Sequence, residues 1–212
     1  VITAAGPTGG PHVKIWRGDG VLLGDFFAFD NNESVGLNVA AGDLDGDGKA
    51  EIAAALAYQS QAYVRVFSGT QGEKTGEFLA INSGFAGGLN LAASDLDGDG
   101  KAEIAVAPNG GGGPHVHVYS GTGKLLSQFF AYEEAYRGGV LLASGRFSAD
   151  DAVRSLVTAP AERSMIGRPH LPKYVNVDVS EQRLRAFEYG RLAKPFLVAS
   201  GQKKYPTPVG EF

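Results

Sequence analysis

DLDGDGKAE occupies Asp43–Glu51, and the same nine residues return at Asp95–Glu103. Each copy crowds four carboxylates into a loop punctuated by two glycines. At ~5 Å and an effective dielectric of ~20, each like-charge pair costs roughly 3 kcal/mol, so the pattern calls for a counter-charge. Oxygen-only donors point to a hard cation, and a flexible loop of single carboxylates suits Ca²⁺ better than the small, octahedral Mg²⁺. The expected ligands are Asp43, Asp45, Asp47, the Lys49 carbonyl and Glu51 in the first loop. In the second they are Asp95, Asp97, Asp99, the Lys101 carbonyl and Glu103. An EF-hand needs a glutamate at its twelfth position, but Ala54 and Val106 stand there, so this is a shorter loop. Two structural Ca²⁺ sites are expected, with no catalytic role for their carboxylates.

The shift of 52 residues between the loops extends well beyond them, which marks an array of similar units. Trp16, Phe67 and Tyr119 share one position, and each is followed by a glycine two residues on. Phe26, Phe78 and Phe129 share another, as do Ala28, Ala80 and Ala131. Gly36, Gly88 and Gly139 precede the apolar runs LNVAAGD, LNLAASD and VLLASGR. Short β-branched and aromatic runs without helical periodicity predict strands, in the middle unit near 52–56, 63–67, 77–81 and 89–93. Four strands in ~50 residues is the arithmetic of a propeller blade. The expected fold is therefore all-β, with about three four-stranded, propeller-like blades followed by the first strands of a second β-rich domain.

DxDGDGxxE before an apolar strand, with GGPHVKIW and GGPHVHVY ahead of glycine turns, resembles the FG-GAP or VCBS-type repeats of bacterial surface proteins. The resemblance covers roughly residues 1–160 and implies calcium-stabilised β-propeller blades. It weakens in the third unit, GRFSADDAVRSL, where Arg146 and Phe147 replace the first acid and Asp150 and Asp151 remain, so no third Ca²⁺ is expected. Three units fall short of the ~4 to 8 blades of closed rings. The expectation is an interior piece of a longer protein, or blades that hide their open edges against other copies.

After Pro160 the repeat stops, and residues 161–173 read as a connector. From Tyr174 onward, alternation in Val175, Val177 and Val179 and in Leu184, Ala186 and Glu188 predicts strands of a new domain. Val177-Asp178, Ser180–Leu184, Gly190, Ser200-Gly201 and Tyr205–Phe212 make residues 174–212 similar to the opening of YkuD-type L,D-transpeptidase domains. That family cross-links peptidoglycan through a cysteine acyl-enzyme, which the resemblance places downstream of the YPTP segment. The 212 residues contain no cysteine, so no activity is expected from them.

No other catalytic set emerges. His12 and His115 are equivalent, but Tyr63 fills their position in the middle unit, which predicts a packing or turn role. His117 alternates with valines and is expected to face solvent, and His170 lies in the connector. The glycine run 110–113 is followed by neither GKS nor GKT, so it reads as a turn rather than a phosphate cradle. The net charge of −4, which two Ca²⁺ ions would cancel, and the lack of a basic stripe argue against nucleic acid. There is no run of ~20 apolar residues to span a bilayer. The calcium loops suit a compartment rich in free calcium, hence an extracellular or cell-envelope location in a bacterium. Three functions compete: a binding or scaffold module for a cell-wall or surface glycan or protein, the amino-terminal portion of an L,D-transpeptidase, and a self-assembling fibre or layer protein.

Overall fold

The computed structural model describes residues 1–82, 84–145 and 155–161, and the backbone of 174–178, 183–188 and 191–197. The chain divides into two compact units, Val1–Glu162 and Arg163–Phe212. Among the described residues every regular element is a strand, and none forms a helix long and apolar enough to cross a membrane.

Among the described residues the first unit contains four antiparallel sheets in chain order. Sheet I joins β1 (Ile2–Ala4), β2 (His12–Trp16) and β3 (Leu22–Phe27). Sheet II joins β4 (Leu37–Gly42), β5 (Glu51–Leu56), β6 (Tyr63–Ser68) and β7 (Glu73–Leu79). Sheet III repeats that plan with β8 (Leu89–Ser94), β9 (Glu103–Pro108), β10 (His115–Tyr119) and β11 (Leu125–Phe130). Sheet IV pairs β12 (Val140–Gly145) with β13 (Ser155–Pro160). The two complete sheets are four-stranded meanders of the expected blade type. β7 begins earlier than the 77–81 run because the Gly69–Gly72 turn returns the chain directly onto β6, pairing Glu73 with Ser68. The described residues of the second unit form an antiparallel sheet of β14 (Tyr174–Asp178), β15 (Arg183–Glu188) and β16 (Arg191–Leu197), in that order. The third acidic segment at 146–154, the connector with His170, and the Ser200–Phe212 motif lie outside the described residues.

Sequence explains which strand goes where. β5 (EIAAAL) and β9 (EIAVAP) are buried at every position, as a short continuous apolar run between two neighbouring sheets must be. Their alanines keep the sheets close, and larger side chains from neighbouring strands fill the gaps. Val64, Leu89, Ile104 and Val106 pack between sheets II and III, while Val13, Leu37, Ile52 and Phe67 pack between sheets I and II. Adjacent sheets meet through their first strands, β4 beside β8 and β8 beside β12. At the outer end the rings step across: Phe26 lies 4.9 Å from Phe67, and Phe78 lies 4.8 Å from Tyr119.

Polar bonds repeat in the same register. Asn38 Nδ2 donates to Leu89 O at 2.7 Å, and its counterpart Asn90 donates to Val140 O at 2.9 Å. Asn109 Nδ2 closes the set by donating to Ala57 O at 2.7 Å. In each case a short amide satisfies a carbonyl of the neighbouring sheet. Asn90→Ala should leave Val140 O unpaired at a site where Asn90 itself is 8% exposed. A loss of about 1–3 kcal/mol is expected, read as a fall in melting temperature of roughly 3–10 °C.

A second repeated bond corrects the solvent-facing placement of His117. Arg65 Nη1 donates to Ala28 O at 3.0 Å, and one sheet later His117 Nδ1 lies 2.9 Å from Ala80 O. Tyr119 Oη donates to that same oxygen at 2.6 Å. Strand alternation assigns His117 a face, but the neighbouring sheet covers part of that face. His12, by contrast, takes the packing role expected of it: its ring stacks on Phe27 at 4.7 Å, and Nε2 lies 2.6 Å from Asp25.

Candidate metal loops

Both DLDGDGKAE segments connect the first two strands of a complete sheet, β4 to β5 and β8 to β9. Within each loop the carboxylates are held by backbone N–H groups. Asp43 accepts Gly46 N at 2.7 Å on one oxygen and Gly48 N at 2.9 Å on the other. Asp45 accepts Asp47 N at 3.0 Å, and Asp47 accepts Lys49 N at 2.8 Å. Glu51, buried at the start of β5, reaches back to accept Leu44 N at 2.9 Å. The second loop reproduces every one of these bonds, from Asp95 with Gly98 and Gly100 to Glu103 with Leu96. This winding needs left-handed backbone at Gly46 and Gly48, with φ of +86° and +84°, which explains why glycines alternate with the acids.

The result is two clusters of converging oxygens. Asp43, Asp45 and Glu51 offer oxygens within 4.8 Å of one another, and so do Asp95, Asp97 and Asp99. Asp47 stands outside the first triplet and Glu103 outside the second. Lys49 and Lys101 contribute their backbone N–H groups to Asp47 and Asp99. The Lys49 side chain turns back onto Asp47 at 3.3 Å, and its N–H and ammonium hold that carboxyl below the usual range. Glu103 is pushed the other way: burial is the main cause, and the charges of Asp97, Asp99 and Asp95 add to it against the Leu96 N–H. The second loop sets four carboxylates against one lysine, a net negative charge. An all-oxygen donor set with excess negative charge fits a hard divalent cation.

The loops also touch. Ala102 N, between Lys101 and Glu103, donates to Asp43 O at 2.6 Å. The Lys101 side chain lies beside Gly46, so the two acidic turns form one continuous edge. The chemistry of these loops was readable from sequence. Their mutual contact was not, since it depends on how sheets II and III face one another.

Comparison with known proteins fits this geometry. Residues 43–106, from the first acidic loop into β9, match the FG-GAP-like repeat family. No curated protein matches the chain. Among solved structures, the Bacillus licheniformis rhamnogalacturonan lyase PL11 is similar with a TM-score of 0.54 and 16% identity, covering 91% of this chain and 45% of that one. The rhamnogalacturonan lyase YesW follows with a TM-score of 0.48 and 15% identity, covering 86% and 41%. The chain thus spans less than half the length of either lyase, and the likeness to the first is one of fold.

Proposed function

We propose that residues 1–160 form a calcium-braced binding module of an extracellular or cell-envelope protein, presenting a surface to a cell-wall or surface glycan or protein. The observation that carries this reading is the duplicated loop, in which the same carboxylates are aimed by the same N–H groups in two successive sheets. In each loop the cation would be held by the three odd-numbered aspartates, the following lysine carbonyl and the glutamate. It would supply the positive charge that keeps four acids in one turn and so fixes the first two strands of the sheet. The FG-GAP-like match over 43–106 and the fold shared with a lyase that acts on a polysaccharide support a role at the cell exterior.

Titration with CaCl₂ tests the assignment. The wild-type chain is expected to bind two ions, with affinities in the ~10⁻⁴–10⁻³ M range of extracellular sites. Asp45→Ala and Asp97→Ala should each abolish one of them, and Asp150→Ala neither. Wild-type stoichiometry in both loop variants would refute the ligand set.

For residues 174–212 we propose the opening strands of an L,D-transpeptidase-like domain, which the module would position on the envelope. The order of the Ser180–Leu184, Gly190 and Tyr205–Phe212 elements supports this.

A further inference from the structure

The turn between β1 and β2 and its equivalents, between β5 and β6 and between β9 and β10, differ in sequence in one place. The turn reads Pro7-Thr8-Gly9-Gly10 in sheet I and Asn109 followed by four glycines in sheet III, but Tyr58-Gln59-Ser60-Gln61 in sheet II. Side chains have replaced glycines at its last two positions, while the positive φ at Gln59 (+46°) is shared with Thr8 (+72°) and Gly111 (+87°) at the equivalent place. Beside Gln59, the Ser60 hydroxyl oxygen is buried and has no hydrogen-bond partner.

Both residues line a cleft of 390 Å³ between sheets I and II, within the ~300–1,000 Å³ typical of small-ligand sites. Arg65 forms part of its wall and is fixed on three sides: Nε donates to Glu77, Nη1 to Ala28 O, and the guanidinium lies 4.3 Å from the Phe29 ring centre. Its Nη2 has no partner among the described residues, and neither do the side chains of Gln59, Gln61 and Tyr63. The cleft thus offers a planar guanidinium, two amides, two hydroxyls and aromatic carbon. Such groups recognise a ring carrying several hydroxyls, each both donor and acceptor, with one apolar face. Charge narrows the choice. Glu77 already offsets Arg65, and Glu33 on the rim adds a negative group, so an acidic sugar would be repelled.

We propose that this cleft binds a neutral saccharide, with Ser60 and Gln59 as its specific hydrogen-bonding contacts. The inference rests on the reading of the repeat unit as a binding module and names its ligand class. The test is titration calorimetry of the full chain in saturating CaCl₂ with cellobiose, galactobiose, mannobiose and digalacturonate. One of the neutral disaccharides is expected to bind, at least roughly tenfold more tightly than digalacturonate. Ser60→Ala and Gln59→Gly should each weaken it by roughly tenfold, the loss of one well-placed hydrogen bond. Gln59→Gly should not lower the melting temperature, because glycine accepts that φ freely, so a folding defect cannot imitate the result. The proposal is overturned if none of the four sugars binds, if digalacturonate binds best, or if both variants bind as wild type does. Any of these with calcium-dependent melting intact would remove the cleft alone and leave the metal loops standing.

Discussion

In excess chelator the melting temperature of the calcium-loaded repeat unit is expected to fall by roughly 10–20 °C. A ligand at ~100 times its dissociation constant stabilises the native state by ~2.7 kcal/mol per site. Two sites then give about 5 kcal/mol, and in a domain of this size each kcal/mol moves the midpoint by ~2–4 °C. Chelation leaves three like-charged groups converging in each loop and a fourth carboxylate beside them, with Glu103 already resisting ionisation through burial and three aspartates. Both loops lead directly into β5 and β9, the two strands buried at every position, so the damage reaches the core rather than stopping at the surface. Magnesium should restore little of the loss, because it demands a tighter octahedral shell. Superimposable melting curves with and without calcium would disprove the bracing role.

Gly88→Ala is expected to be the most damaging small substitution in the repeat unit. Gly88 has φ +79°, a conformation that costs other residues roughly 1–2 kcal/mol. An added Cβ would also stand 2.1 Å from Ala57 O and 2.2 Å from Ala57 C, at the end of β5 in the preceding sheet. Those are backbone atoms of a fully buried strand and cannot step aside. A loss above ~3 kcal/mol follows, among the large values for single substitutions, which corresponds to a drop of about 10 °C or insoluble protein. Gly20→Ala provides the contrast, since Gly20 has φ +88° but no atom within 4 Å of its would-be Cβ. It should show the conformational cost alone. Equal melting points for the two variants would contradict the close approach of sheets II and III.

These outcomes also show where sequence carries information and where it does not. The acidic loops were legible because their chemistry is local: spacing brings Asp43 and Asp45 together in the first loop and all three aspartates in the second, and glycine must alternate with them. The strands were legible in number and kind, because EIAAAL and EIAVAP have the composition of doubly covered strands. The division into sheets was harder to read. The 52-residue period runs through the chain without a mark, and β1 resembles a second strand only because its counterparts follow acidic loops. Asn38 and Asn90 passed unnoticed inside apolar runs, although an amide recurring at the same point of two buried strands was the available signal. His117 was misplaced because alternation specifies a face and not what packs on it. The cleft around Ser60 was also missed, since its mark is a departure from the repeat rather than a match to it.

The amide bonds given by β4 and β8 point one way along the chain, while that of Asn109 points back. Asn38 of sheet II gives its protons to sheet III, and Asn90 of sheet III gives its own to sheet IV. At the corresponding place in β12 stands Leu141, which has no proton to give. The first-strand series therefore has a polarity, like a row of plugs and sockets, and β12 receives an amide but offers none at that place. A duplicated module inserted upstream of that terminus would arrive with both its plug and its socket. Lengthening the row would need no new interface to evolve, whereas growth beyond Leu141 would.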